Sequence, residues 1–173
     1  SGTKFLPHFH IPLQSGCDEI LRKMRRRYNT TMFRQKIELV RSYMGNPFFG
    51  IDVITGFPGE TEELFNETYR FLEEIRPAFI HIFPYSRRNG TPAALMDDQV
   101  DEQVKQQRVH RLEELCAKLH KEYYDSFKGA TEEVLFESTQ KGGKMFGYTR
   151  NYILVERPYD KDLIGKISVV VLD

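Results

Sequence analysis

The segment FFGIDVITGF, Phe48–Phe57, constrains this chain more than any other ten residues. It is apolar and β-branched almost throughout, is bounded by Gly and Pro, and holds one carboxylate, Asp52, near its middle. A run that is hydrophobic on both faces reads as a buried strand, the habit of parallel sheets covered by helices. A helical pattern follows at once. Thr61 is placed to cap it, Glu62 and Glu63 complement its N-terminal dipole, and Leu64, Phe65, Phe71, Leu72 and Ile75 form its apolar stripe.

The same alternation occurs before and after. FHIPL (Phe9–Leu13) reads as a strand, followed by a helix over Asp18–Arg27. A second helix, capped by Thr30 or Thr31, carries Phe33, Ile37, Val40 and Met44 at helical spacing and stops at Gly45-Asn46-Pro47. FIHIFPY (Phe79–Tyr85) reads as a third strand, and a long helix runs from about Asp101 to Phe127. This order predicts an α/β fold of three βα units with parallel strands, part of a larger sheet or barrel. After Gly129 the pattern changes. EVLFES, GYTRNYILVERP and GKISVVVL are short β-rich runs separated by QKGGK and PYDKD turns. The expected division is an α/β part over residues 1–128 and a small all-β module over residues 129–173, short for an independent core.

Composition narrows the functional classes. Twenty-five Lys+Arg balance 25 Asp+Glu, so any nucleic-acid contact must come from local patches and not from global charge. No apolar run has the length of a membrane helix, and no secretory signal is visible. The two cysteines, Cys17 and Cys116, are far apart and form no CxxC pair, which fits a reduced, cytoplasmic setting. The chain opens at Ser1 almost inside a strand, and the expectation is a piece of a longer protein.

Several residues stand out chemically. All three predicted strands end in polar or glycine-rich turns: Gln14-Ser15-Gly16, Gly56-Phe57-Pro58-Gly59-Glu60, and Tyr85 through Thr91. Ligands of α/β sheets and barrels sit at that end of the strands. Asp52, inside an apolar strand, must be paired or face a ligand, and a salt bridge to Arg25 or Arg27 is one reading. The run of Arg22, Lys23, Arg25, Arg26 and Arg27 calls for an anion near at least one of them. His8 and His10 share a strand face that His81 could join; hydrogen-bonded interior histidines are preferred to a metal site, because no carboxylate or cysteine lies at ligand spacing. In the β-module, Lys141, Lys144, Phe146, Tyr148, Arg150 and Tyr152 interleave cations and rings, as RNA-binding surfaces do and as an ordinary hairpin with a charged tip also would.

Taken together, HIPLQSG…MRRRY, GIDVITGFPGETEELFNET, FIHIFPYSRRNGTPAA and EVLFE…GYTRNYILV…LIGK resemble the methylthiotransferase family of radical S-adenosylmethionine (SAM) enzymes, from Phe9 to about Leu172. GFPGET and YSRRNGTPAA are the most diagnostic stretches. MRRRY and PYSRRNGTPAA lean toward the branch that modifies N6-threonylcarbamoyladenosine in tRNA. The sister branches act on isopentenyladenosine in tRNA or on an aspartate of a ribosomal protein.

The resemblance implies the last half of a radical SAM (βα)6 partial barrel followed by a small TRAM barrel that binds the anticodon region of tRNA. It implies transfer of a methylthio group to C2 of the modified adenosine next to the anticodon, with SAM and two 4Fe–4S clusters as cofactors. The family's CxxxCxxC motif is absent, so no catalytic or metal-ligating residue is expected in this segment, and the segment alone is expected to be inactive. Gln14 and Ser15 would meet the ribose and amino-acid end of SAM, and Arg25 or Arg27 its carboxylate. Asp52 would lie in the same pocket, and Ile54, Gly56, Phe57 and the backbone around Pro84 would flank the adenine. Lys141, Lys144, Tyr148, Arg150 and Tyr152 would contact RNA. Cys17 stands where the family usually has Ser. The sulfur donor is not indicated. A reading outside this class is a non-catalytic RNA-binding protein on an α/β scaffold. With the neighbouring strands of a barrel missing, the Phe9–Leu13 edge is expected to drive self-association.

Overall fold

Each of the three apolar runs is a strand, and each is followed by helix. The computed structural model describes residues 5–173. The order is β1 (His8–Gln14), α1 (Asp18–Lys23), α2 (Thr30–Met44), β2 (Phe48–Thr55), α3 (Glu62–Ile75), β3 (Phe79–Pro84), α4 (Glu102–Asp125), β4 (Thr131–Lys141), β5 (Lys144–Thr149), β6 (Leu154–Pro158) and β7 (Ile167–Val171). Two compact units arise. One comprises residues 9–120; the other joins residues 121–173 to the described residues up to His8.

The first unit is built on a three-stranded sheet in the order β1-β2-β3. β2 and β3 run parallel, with Asp52 opposite His81 and Ile54 opposite Phe83. Because successive side chains alternate, one face takes Leu13, Ile51, Val53 and Ile80, which pack with Ile37, Phe65, Leu72, Leu112 and Leu115 from the helices. These side chains are 0–2% exposed, and full burial of each contributes about 1.5–3 kcal/mol. The other face carries His10, Pro12 and Gln14 from β1, Asp52 and Ile54 from β2, and His81 and Phe83 from β3, all at least partly open. Pro12 has no N–H to give a neighbouring strand, which suits the edge position of β1.

Two local expectations are corrected. α1 ends at Lys23 and does not continue to Arg27. Arg25 adopts a left-handed conformation (φ 57°), so its N–H bonds to the Arg22 carbonyl and the Arg26 N–H to the Leu21 carbonyl. This is a Schellman stop made without the glycine that normally announces it. α2 is capped by Asn29, whose side-chain oxygen accepts the Met32 N–H at 2.8 Å; the Thr30 N–H is taken by Asp18 at 2.7 Å. Thr61 caps α3 as expected, accepting from Leu64 at 3.3 Å.

The second unit is a four-stranded antiparallel sheet in the order β6-β5-β4-β7. Gly142 and Gly143, both at positive φ, close the β4–β5 hairpin between Lys141 and Lys144. Val134, Phe136 and Met145 are fully buried beneath it. A side chain on Gly147 would come within 2.7 Å of the Leu135 carbonyl, so only glycine fits there. Asn151 is buried and holds the following turn: its side-chain oxygen accepts from Thr149 Oγ1 at 2.6 Å, and its carbonyl accepts from the Tyr123 hydroxyl at 3.3 Å. Burial raises the Tyr123 phenol well above its ordinary value, so it stays a donor. No described helix is long and apolar enough to cross a membrane.

Candidate functional site

The C-terminal ends of the parallel strands β2 and β3 meet at one turn, Gly56 to Glu60. Gly56 and Gly59 both take positive φ. Glu60 is 3% exposed and folds back so that its carboxylate accepts the Gly56 N–H at 2.6 Å. The same oxygen accepts from Arg108 of α4 at 2.9 Å, and Arg108 also reaches the Glu60 carbonyl at 3.0 Å. Burial pushes the Glu60 carboxyl up, while the Gly56 N–H and Arg108 pull it back. Lys23 of α1 donates to the Gly59 carbonyl at 3.3 Å, and the Lys105 stem lies where a Gly56 side chain would be. Three cations from two helices therefore grip this turn. Tyr85, after β3, donates its N–H to the Thr55 carbonyl at 2.8 Å and packs edge-on against Phe57.

The turn after β1 is set differently. Gln14 is left-handed (φ 72°), an uncommon state for a residue with a side chain. Ser15 is fully buried; its hydroxyl meets Thr68 of α3 at 3.0 Å and accepts the Cys17 N–H at 3.2 Å. Gly16 is required because a Cβ there would lie 2.8 Å from Phe71 Cβ. Cys17 is buried, and its thiol is pushed up to about 11, chiefly by desolvation and then by a hydrogen bond to Glu67.

Four buried polar atoms find no partner among the described residues: Thr55 Oγ1, Glu60 Oε1, Tyr85 OH and Arg108 Nε. All belong to this strand-end network. Orphaned donors and acceptors at the ends of β2 and β3, next to the half-open Ile54, fit a polar cofactor such as SAM. An iron–sulfur cluster does not fit the residues here. Cys17 and Cys116 are both buried, and Cys116 on α4 serves the backbone of Ile80 instead.

A second polar group lies nearer the strand starts. His10 donates from Nε2 to Asp52 at 2.5 Å, and His81 stacks on His10 with centroids 4.5 Å apart and planes 23° from parallel. The expected arginine partner of Asp52 is thus replaced by His10. The carboxylate that linear spacing fails to find for the histidines is Asp52 itself, brought over from β2. Ligand atoms of His10, Asp52 and His81 all lie within 4.8 Å of one another. In the structure His10 Nε2 is committed to Asp52 and the two imidazoles lie one over the other. The group stands as a hydrogen-bonded stack. His8 does not join it; its ring stacks on Tyr152 instead, at 4.2 Å and 2°.

Of the residues expected to bind SAM, Gln14, Ile54, Gly56 and Pro84 lie at strand ends, and Asp52 lies deeper on the same sheet face. Ser15 and Phe57 are buried, and Arg25 and Arg27 are exposed beyond the end of α1. Sequence does not single out Glu60, Lys105, Arg108 or Thr68. Their partners come from other elements, and no local pattern marks them.

In the second unit, Tyr148 and Tyr152 stack at 4.6 Å and 13°, so His8, Tyr152 and Tyr148 form one ladder of near-parallel rings. Tyr152 is left-handed (φ 64°) and half-exposed. The groove beside the ladder is lined by Leu6, Leu135, Ile167, Arg150, Glu133 and Glu137. Lys144 pairs with Glu156, whereas Lys141 and Arg150 are exposed.

Comparison with known proteins gives three kinds of likeness. Residues 2–72 match the family model described as the Radical SAM superfamily. The chain is 44% identical over 171 residues to threonylcarbamoyladenosine tRNA methylthiotransferase MtaB of Bacillus subtilis, a match covering 96% of this chain and 38% of that protein. It is 40% identical over 166 residues to tRNA-2-methylthio-N(6)-dimethylallyladenosine synthase of Clostridium botulinum (strain Okra / Type B1), covering 95% and 37% respectively. The chain therefore spans well under half the length of these curated relatives. In fold it is similar to coproporphyrinogen III oxidase (HemN) from Escherichia coli, a radical SAM enzyme, with a TM-score of 0.56 over 65% of this chain and 27% of that one, at 19% identity.

Proposed function

This chain belongs to the radical SAM methylthiotransferase family, and we propose that in the whole protein it helps add a methylthio group to C2 of N6-threonylcarbamoyladenosine next to the anticodon of tRNA. One observation carries the reading. The C-terminal ends of parallel strands present a clamped Gly56–Glu60 turn with orphaned Thr55 and Tyr85 hydroxyls beside it. The likeness to the Bacillus relative supports the choice of substrate.

In this proposal Gln14, Ile54, Gly56, Phe57 and the Pro84 backbone hold SAM at the strand ends, and Asp52 bounds the pocket from below. Ser15 acts through its bond to Thr68, fixing the turn that carries Gln14. Arg25 or Arg27 reaches the SAM carboxylate. SAM, when bound, supplies the methyl group and the source of the radical. The residues of this segment bind and orient; the cluster ligands lie elsewhere in the whole protein. The β-sheet unit serves as a TRAM-like RNA-binding module, with Tyr148 and Tyr152 offering a stacking surface and Lys141, Lys144 and Arg150 meeting phosphates.

The test is the full-length enzyme, reconstituted with iron and sulfide and supplied with SAM, reductant and tRNA carrying threonylcarbamoyladenosine. Mass spectrometry of the digested nucleosides should show the methylthio product. Product only on tRNA carrying dimethylallyladenosine would reassign the branch. No product on either would leave the RNA-binding scaffold as the better reading.

A further inference from the structure

The relatives' substrates differ in what hangs from N6 of the adenosine. A threonylcarbamoyl group offers a carboxylate, a hydroxyl and ureido N–H groups. A dimethylallyl group is a branched hydrocarbon. We infer that His81 and His10, the latter held by Asp52, form the subsite that reads the polar N6 substituent and so select threonylcarbamoyladenosine. This rests on the function proposed above.

His10, Asp52 and His81 come from three adjacent strands and lie level with one another on the open face of the sheet. Toward the strand ends that face turns apolar, with Pro12, Ile54 and Phe83, and the proposed SAM-binding turns lie beyond. A polar row therefore sits on the sheet face below the ends where SAM chemistry is expected, with Asp52 at the boundary between the two. A substrate base lying against the apolar row would direct a long N6 substituent down to this level.

The row also has hydrogen-bonding capacity to spare. His81 is half-buried and touches His10 and Phe79 by ring contacts, yet among the described residues neither of its nitrogens has a hydrogen-bond partner. Gly50 leaves room at its edge: a Cβ there would already lie 3.4 Å from His81 Nε2. His10 commits Nε2 to Asp52, which fixes the ring and leaves Nδ1 for a ligand. The pair thus offers an N–H for a carboxylate from His81 and an acceptor for a hydroxyl or ureido N–H from His10. Asp52, already bonded, acts as a positioning residue.

Discrimination follows from that capacity. A site built to hydrogen-bond a substrate rejects an analogue that leaves its polar groups unpaired, by factors far beyond what an apolar pocket achieves against a polar isostere. A hydrocarbon substituent would strand both imidazoles.

The experiment uses the full-length reconstituted enzyme and two anticodon stem-loop RNAs, one carrying threonylcarbamoyladenosine and one dimethylallyladenosine. His81→Phe keeps the ring stack and removes both nitrogens. It should lower kcat/KM on the first RNA at least tenfold and narrow the preference between the two, with SAM affinity unchanged. His10→Gln should act in the same direction. The SAM affinity of His81→Phe, which leaves the His10–Asp52 pair intact, reports on folding separately from substrate choice. A His81→Phe enzyme with wild-type kcat/KM on the first RNA and unchanged preference would overturn the inference. A wild-type enzyme that ignores the first RNA and modifies the second would overturn the functional reading beneath it, so the two failures are distinct.

Discussion

Arg108 of α4 and Glu60 of the β2–α3 turn meet at 2.9 Å with their side chains 5% and 1% exposed, and the same carboxylate oxygen accepts the Gly56 N–H. The pair ties a helix that is distant in sequence to the turn that ends β2. Removing Arg108 strands a buried carboxylate, which costs about 3–5 kcal/mol. Arg108→Met should therefore lower stability in urea melts by that order. Adding Glu60→Gln should recover part of the loss, because the two substitutions act on one interaction. Independent, additive losses would show that the pair does not hold the turn.

Gly16 makes a narrower prediction. A methyl group there meets Phe71 Cβ at 2.8 Å and the Thr68 Cα at 3.0 Å, so α3 must shift. Gly16→Ala should cost roughly 1–3 kcal/mol, the usual range for overpacking. Thr68→Val leaves the Ser15 hydroxyl and Gly16 N–H without their partner and should cost about as much. A thermal melt unchanged in both variants would contradict the packing described.

Cys17 gives a pH-dependent result. Its thiol is 1% exposed and its value is raised from 9.0 to about 11. The folded chain keeps this proton to higher pH than the unfolded chain, so stability should fall as pH rises from about 9 to about 11, by roughly 2–3 kcal/mol. Cys17→Ser should flatten that fall. At pH 8 the folded protein should be alkylated by iodoacetamide at Cys17 far more slowly than the unfolded protein, since only a thiolate reacts. Fast labelling of native Cys17, followed by mass spectrometry, would refute its burial.

The RNA surface is tested by salt. If Lys141, Lys144 and Arg150 touch phosphates, the triple alanine variant should bind tRNA more weakly. Its log–log salt slope should be shallower by roughly 0.7–0.9 for each phosphate no longer neutralised. Lys144 already pairs with Glu156, so its share should be the smallest. Tyr152→Ala should weaken binding with no change in salt slope, since a ring stacks and does not neutralise. An unchanged affinity in both variants would show that RNA binds elsewhere.

How much of this is readable in the chain depends on how local the signal is. The buried strand at Phe48–Thr55, the Thr61 cap and the Gly142-Gly143 hairpin follow from residues adjacent in sequence, and each appears where the pattern places it. The early end of α1 leaves no such mark, because an arginine occupies the left-handed position. Asp52 stands out as a carboxylate in an apolar strand, but its partner does not: 42 residues separate it from His10, and only strand pairing brings them together. Glu60 reads as one more turn residue, and Arg108, 48 positions away, gives it its role. Alternation along β1 groups His8 with His10, yet Tyr152 takes the His8 ring. Site residues whose chemistry depends on neighbours from other elements are the ones that sequence can nominate but not pair.

Whether the whole protein methylthiolates threonylcarbamoyladenosine is decided by the tRNA of cells lacking the gene. Nucleoside mass spectrometry should show that 2-methylthio-N6-threonylcarbamoyladenosine disappears, its unmethylthiolated precursor accumulates, and the dimethylallyl-derived nucleoside is untouched. A nucleoside profile that keeps the threonylcarbamoyl product at its wild-type level would contradict the proposed function.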